Sequence, residues 1–196
     1  MADPDDRRPD TLRPDGESHE RRQFARTPVQ MTAWGRPLEH EEAPLRLHEE
    51  WAVGGPDRNA LDVLDKARLP EGVAAFLLHL DAKLDALLGF LLTEKLTRHF
   101  PYALQVVELS GNGLRVQTTA PLQEGALLEV AILLHHAPVR VAGAVARVLR
   151  MGPAPAGVGV ECALDFVRIR EPDLEAIVQF VFYEERKRLR ERLRDR

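Results

Sequence analysis

From Pro101 onward the chain alternates apolar and polar residues in short runs, each closed by glycine or proline. "YALQVVEL" (102–109) is followed by the turn "SGNG" and its return "LRVQTT"; then come "LLEVAILL", "VRVAGAVARVLR" and "GVGVECALDFVRI". Side chains on a strand point alternately to its two faces, so such runs build half-buried strands. No helical pattern lies between them, which excludes parallel βαβ units. The segment therefore predicts an antiparallel barrel or sandwich. Upstream, Val29 and Met31 alternate with Gln30 and Thr32, predicting one earlier strand that ends at Gly35 and Pro37.

Between these β regions the period changes. Val73, Leu77, Leu80, Leu84, Leu87 and Leu91 are spaced 4, 3, 4, 3 and 4, the seam of a left-handed coiled coil. Leu88 and Leu92 are expected to widen that seam on one side, which favours a bundle or higher oligomer over a two-stranded coil. Packing of one amphipathic helix on its own domain satisfies the same pattern. The helix is expected to end near His99, because Pro101 cannot continue it and disfavours helical geometry at Phe100. An earlier helix start is expected at "GGPDRNALD", where Pro56 and Asp57 precede Leu61 and Leu64. The chain closes with "EPDLEAIVQFVFYEERKRLRERLRDR", a helix with Leu174, Ile177, Val178, Val181 and Phe182 on its apolar face. Seven of its last eleven residues are Arg or Lys, interleaved with Glu191 and Asp195 as on an exposed, salt-bridge-laced helix.

Composition removes several functions. A net charge of −4 argues against bulk nucleic-acid binding, which needs a basic face. No apolar run approaches the roughly 20 residues of a membrane helix. The N-terminus "MADPDDRRPD" lacks the apolar core of a secretory signal. A single cysteine, Cys162, sits among Val160, Ala163 and Leu164 and is expected to be an inert core thiol, in keeping with a cytoplasmic location. His135 and His136 are adjacent, so a strand would point them to opposite sides, a poor pair of metal ligands. Asp81 and Asp85 flank Lys83 on the helix and are expected to be solvated. No catalytic constellation emerges, and the chain is expected not to be an enzyme.

Two clusters remain. Arg21, Arg22 and Arg26 lie within six residues, with no lysine nearby, just before the first strand. A guanidinium is a planar fork that grips phosphate bidentately, pairs with the guanine edge and stacks on bases, so three arginines in this pattern suit an anion. The second cluster is the hairpin "VVELSGNGLRV": Glu108 ends a strand, Ser110 offers a hydroxyl at the bend, and Gly111 and Gly113 permit positive φ and close approach of a ligand.

Together these features resemble the PilZ domain, a bacterial receptor for cyclic di-GMP. That family carries Arg-x-x-x-Arg just before its first barrel strand and Asp/Asn-x-Ser-x-x-Gly at a later hairpin. This chain has Arg22-Gln23-Phe24-Ala25-Arg26, doubled by Arg21, and Glu108-Leu109-Ser110-Gly111-Asn112-Gly113. "AGAVARV", "GVGVE" and the closing helix are similar to the family's later elements. The resemblance implies an α+β fold: a six-stranded antiparallel β-barrel over 21–36 and 101–170, and a C-terminal helix and basic tail over 171–196. Residues 1–20, rich in Asp, Arg, Pro and Gly, are expected to form a disordered leader, and a helical insertion, 45–99, is expected between the first two strands. It is similar to that of a tetrameric PilZ variant whose inserted heptad helices assemble the oligomer.

On that resemblance Arg21, Arg22 and Arg26 take phosphate and guanine of cyclic di-GMP, while Glu108, Ser110 and Gly113 take the other guanine edge. Glu108 departs from the family's Asp or Asn by one methylene, which is expected to weaken binding. Two readings follow: a cyclic di-GMP effector that oligomerises and signals to a partner protein, or an oligomeric scaffold that has lost the nucleotide. The arginine pair favours the first and Glu108 the second.

Overall fold

The computed structural model describes residues 25–47, 69–136, 139–155 and 158–194. The leader 1–20, Arg21, Arg22 and the helix start expected at 56–64 lie outside them. In chain order the elements are β1 (Arg26–Leu38), α1 (Glu71–His99), β2 (Tyr102–Ser110), β3 (Gly113–Thr118), β4 (Leu127–His136), β5 (Val139–Pro153), β6 (Val160–Ile169) and α2 (Glu171–Arg194). The strands form a closed antiparallel barrel in the order β1-β2-β3-β6-β5-β4. The expected barrel, the insertion between its first two strands and the closing helix are all present. β6 begins at Val160 rather than Gly157. Gly159 turns the chain there at φ +80, and any Cβ on it would meet the Thr118 carbonyl oxygen at 2.4 Å.

Alternation explains the core. Leu104, Val106 and Leu109 of β2, Leu114 and Val116 of β3, Leu128, Val130 and Ile132 of β4, and Cys162 and Leu164 of β6 fill the interior. The apolar face of α2 joins this cluster through Ala176, Ile177, Phe180 and Val181. Asp173, in the first turn of α2, pins the helix to the barrel by accepting the Gly143 N–H at 3.2 Å.

The outer wall over β4 and β1 is covered as well. Trp34, Leu47, Leu92, Leu96, Phe100, Ala131 and Leu133 form a second apolar cluster between α1 and the barrel. α1 stops at His99 because Phe100, which precedes Pro101, is driven to extended geometry (φ −121, ψ 94). Leu92 therefore does not widen the seam, as the spacing suggested. It lies about 120° round the helix from the seam, on the side that meets the barrel. The rest of α1, from Glu71 to Leu91, buries no residue. Its seam residues Val73, Leu77, Leu80, Leu84, Leu87 and Leu91 are exposed, and so are Phe76, Leu88 and Phe90.

A buried carboxylate fixes the start of the insertion. Glu129 on β4 is fully buried and accepts hydrogen bonds from Arg36 Nε (2.5 Å), the Leu47 N–H (2.9 Å) and the Arg46 N–H (3.3 Å). Arg168 donates to the Ala43 carbonyl, Arg36 to that of Pro44, and Arg147 pairs with Glu41. Residues 41–47 are thereby clasped to the barrel before the chain leaves for α1.

Candidate ligand-binding face

The hairpin register sets the geometry. The β2–β3 turn has Gly111 and Asn112 between the paired residues Ser110 and Gly113, so Leu109 pairs with Leu114 and Glu108 with Arg115. Leu109 and Leu114 point inward, which turns Glu108 and Arg115 to the outer surface. β1 runs antiparallel to β2 on its other side. Arg26 pairs with Ser110, Thr27 with Leu109 and Pro28 with Glu108. Two clusters far apart in sequence thus meet at one end of the β1–β2 ladder.

Here Glu108 lies between two guanidinium groups. Its Oε2 accepts from Arg115 Nη2 at 2.9 Å, and its Oε1 lies 3.7 Å from Arg26 Nη1. Arg115 also reaches Glu161 of β6, Nη1 to Oε1 3.5 Å, while Gln117 donates to the other oxygen of Glu161 at 3.2 Å. Arg26 is largely exposed, with its side chain 64% accessible, and Glu108 is mostly covered at 22%. Exposed ion pairs contribute only about 0.2–1 kcal/mol. The Arg26 contact is correspondingly easy to break.

Ser110 and Gly113 have roles within the turn. The buried Ser110 hydroxyl donates to the Gly113 carbonyl at 3.1 Å. Gly113 does not sit at positive φ, and what approaches it is β6. A Cβ there would come within 2.1 Å of the Leu164 carbonyl oxygen. Of the residues singled out in the sequence, Arg26, Glu108, Ser110 and Gly113 are gathered, whereas Arg21 and Arg22 lie outside the described residues.

Arg115 was not singled out, although the signal was present. A two-residue turn fixes the register, and counting back from it puts Arg115 opposite Glu108. The remaining chemistry-bearing groups stand apart. Cys162 is buried, and burial, reinforced by the Glu161 charge, pushes its thiol above the ordinary range. Among the described residues no three His, Cys, Asp or Glu side chains gather as metal ligands, and no helix is long and apolar enough to cross a membrane.

A closed six-stranded barrel capped by a helix, with Arg26 of β1 beside Glu108 and Arg115 of the β2–β3 hairpin on its outer surface, defines a small β-barrel module. Residues 91–183 match the PilZ domain, and the chain therefore carries a PilZ domain. Among solved structures it is similar to a pathogenic protein from Xanthomonas campestris, described as a tetrameric PilZ domain self-assembled through a helical bundle. That likeness has 17% identity and a TM-score of 0.51, covering 86% of this chain and 92% of that one. It is also similar to the Bacillus subtilis inhibitor of motility MotI/DgrA, with 15% identity and a TM-score of 0.48 over 86% of this chain, which spans about half (52%) of that protein. The PilZ domain of Escherichia coli YcgR with c-di-GMP matches 46% of this chain and 76% of its own length, at 15% identity and a TM-score of 0.37. Among curated proteins nothing matches this chain.

Proposed function

We propose that this protein is a non-catalytic cyclic di-GMP effector, acting in the cytoplasm, that self-associates through α1 and signals to a partner protein. The observation that supports it best is the pairing of Arg26 with Ser110, which joins the arginine segment to the hairpin of a PilZ domain. Arg26 extends the guanidinium fork that phosphate and guanine favour. On the PilZ resemblance Arg21 and Arg22 take the same ligand, and Glu108, Ser110 and Gly113 form the hairpin side of the site. Contact of the arginine segment with the ligand would then alter the surface offered to the partner.

The apolar residues of α1 support self-association. Phe76 and Phe90 flank the exposed seam on one side and Leu88 flanks it on the other. A two-stranded coil covers only a narrow stripe, so this width calls for neighbours on both flanks, as in a four-helix bundle. The Xanthomonas protein, described as a tetramer assembled by a helical bundle, offers a precedent for such an arrangement.

Calorimetric titration with cyclic di-GMP, with GTP as control, tests the nucleotide reading. Saturable binding at micromolar concentration or tighter, lost in Arg26→Ala and absent with GTP, is the expected result. Absence of saturation would leave the scaffold reading, which the engagement of Glu108 by both arginines favours.

A further inference from the structure

Two guanidinium groups converge on one anionic position beside the hairpin, and the chain's own carboxylate fills it. Arg26 faces one oxygen of Glu108 and Arg115 the other, at 3.7 and 2.9 Å. The Arg115 Nε is buried and has no hydrogen-bond partner, so this guanidinium meets anions through its two Nη groups. Carboxylate and phosphodiester groups each present two oxygens to such forks, which makes one a geometric substitute for the other.

The geometry points to a self-occupied anion site: Arg26 and Arg115 together receive a phosphodiester group of the ligand, and Glu108 is the internal competitor it displaces. This rests on the nucleotide reading above and deepens it in two ways. It adds Arg115 as a binding residue, and for Glu108 it replaces the guanine contact of that reading with the role of an occupant that holds affinity down. Displacement is feasible because Arg26 is mostly exposed and Arg115 is half-exposed, so neither pair is locked by burial. Glu161 stays within reach of Arg115 and keeps it aligned along β3 when Glu108 moves away.

Titration of the full chain and the variants Glu108→Gln, Arg115→Ala and Arg115→Lys with cyclic di-GMP tests this directly. Glu108→Gln removes the competing charge and is expected to bind about three- to tenfold tighter, the range that loss of exposed ion pairs sets. Arg115→Ala is expected to bind about tenfold more weakly. Arg115→Lys should recover little of that loss, because an ammonium has no planar fork. Thermal unfolding without ligand separates competition from a general gain in stability: the melting temperature of Glu108→Gln should be equal to or below that of the parent.

Binding by Glu108→Gln no tighter than the parent would overturn the inference while leaving the nucleotide reading in place. Binding by Glu108→Gln alone, with the parent silent, would support it. If neither chain takes up cyclic di-GMP the nucleotide reading fails, and inorganic pyrophosphate then decides the matter. Tighter pyrophosphate binding by Glu108→Gln supports a self-occupied site, and equal or absent binding by both chains refutes it.

Discussion

Glu129 shows how one side chain can hold a long insertion in place. Its carboxylate satisfies Arg36 and two backbone N–H groups from a fully buried position. Removing one partner of a buried pair strands the other, which costs about 3–5 kcal/mol. Glu129→Ala is therefore expected to lose about 3 kcal/mol in urea denaturation, at the lower end because Arg36 retains some exposure to water. Nothing in "LLEVAILL" announced this role, since alternation places Glu129 on an outer face and outer faces normally meet solvent. The clasp of residues 41–47 that covers it is a tertiary contact without a local signature.

Cys162 gives a second test at the same scale. Burial favours its neutral thiol, so the folded chain titrates above the ordinary thiol range. Below that range both states are protonated and the contribution to stability is fully present. Once the unfolded chain begins to ionise, above about pH 8.5, stability is lost until pH passes the raised folded value. Stability measured by urea between pH 8 and 10 is expected to fall more steeply in the parent than in Cys162→Ala. Equal slopes would mean that the thiol does not contribute.

At the scale of elements, α1 serves two surfaces. Leu92 and Leu96 bind it to the barrel, while Leu84 and Leu87 face away. The two leucine sets have the same chemistry and adjacent positions, yet charge in each should fail differently. Leu84→Asp or Leu87→Asp would bury an unpaired carboxylate in the assembly and is expected to reduce the mass in solution with the barrel still folded. Leu92→Asp should instead destabilise the barrel itself. Light scattering paired with thermal unfolding separates the two outcomes. The seam could be read from spacing because a coiled coil obeys a fixed period. The side on which the parent barrel attaches could not, because Leu88 and Leu92 look equivalent until β4 supplies Ala131 and Leu133 as neighbours. The strands were legible for the opposite reason: each has one face in a shared interior, and alternation records it directly. Arg115 needed one further step, from strand to register, to become visible.

For the whole molecule, the strand order separates the two surfaces. α1 lies over β4 and its neighbours β1 and β5, whereas Glu108, Arg115 and Glu161 stand on β2, β3 and β6. In the ring β1-β2-β3-β6-β5-β4, β4 and β3 are opposite each other. Arg26→Ala is therefore expected to abolish nucleotide uptake and leave the mass in solution unchanged, with Leu84→Asp doing the reverse. A variant of either kind that disturbed both readouts would show the walls to be coupled.

That layout has a consequence for avidity. Copies joined through α1, as proposed, would each turn the arginine-bearing wall outward, at a spacing set by a rigid barrel instead of a loose tether. A partner that presents the same motif several times, on a ring or a filament, would be engaged at several points at once. After the first contact each further one is intramolecular, and its strength is set by effective concentration more than by the affinity of a single wall. Weak individual contacts would then suffice for tight, readily reversible attachment, and the number of helices in the bundle would set how steeply attachment responds to the ligand.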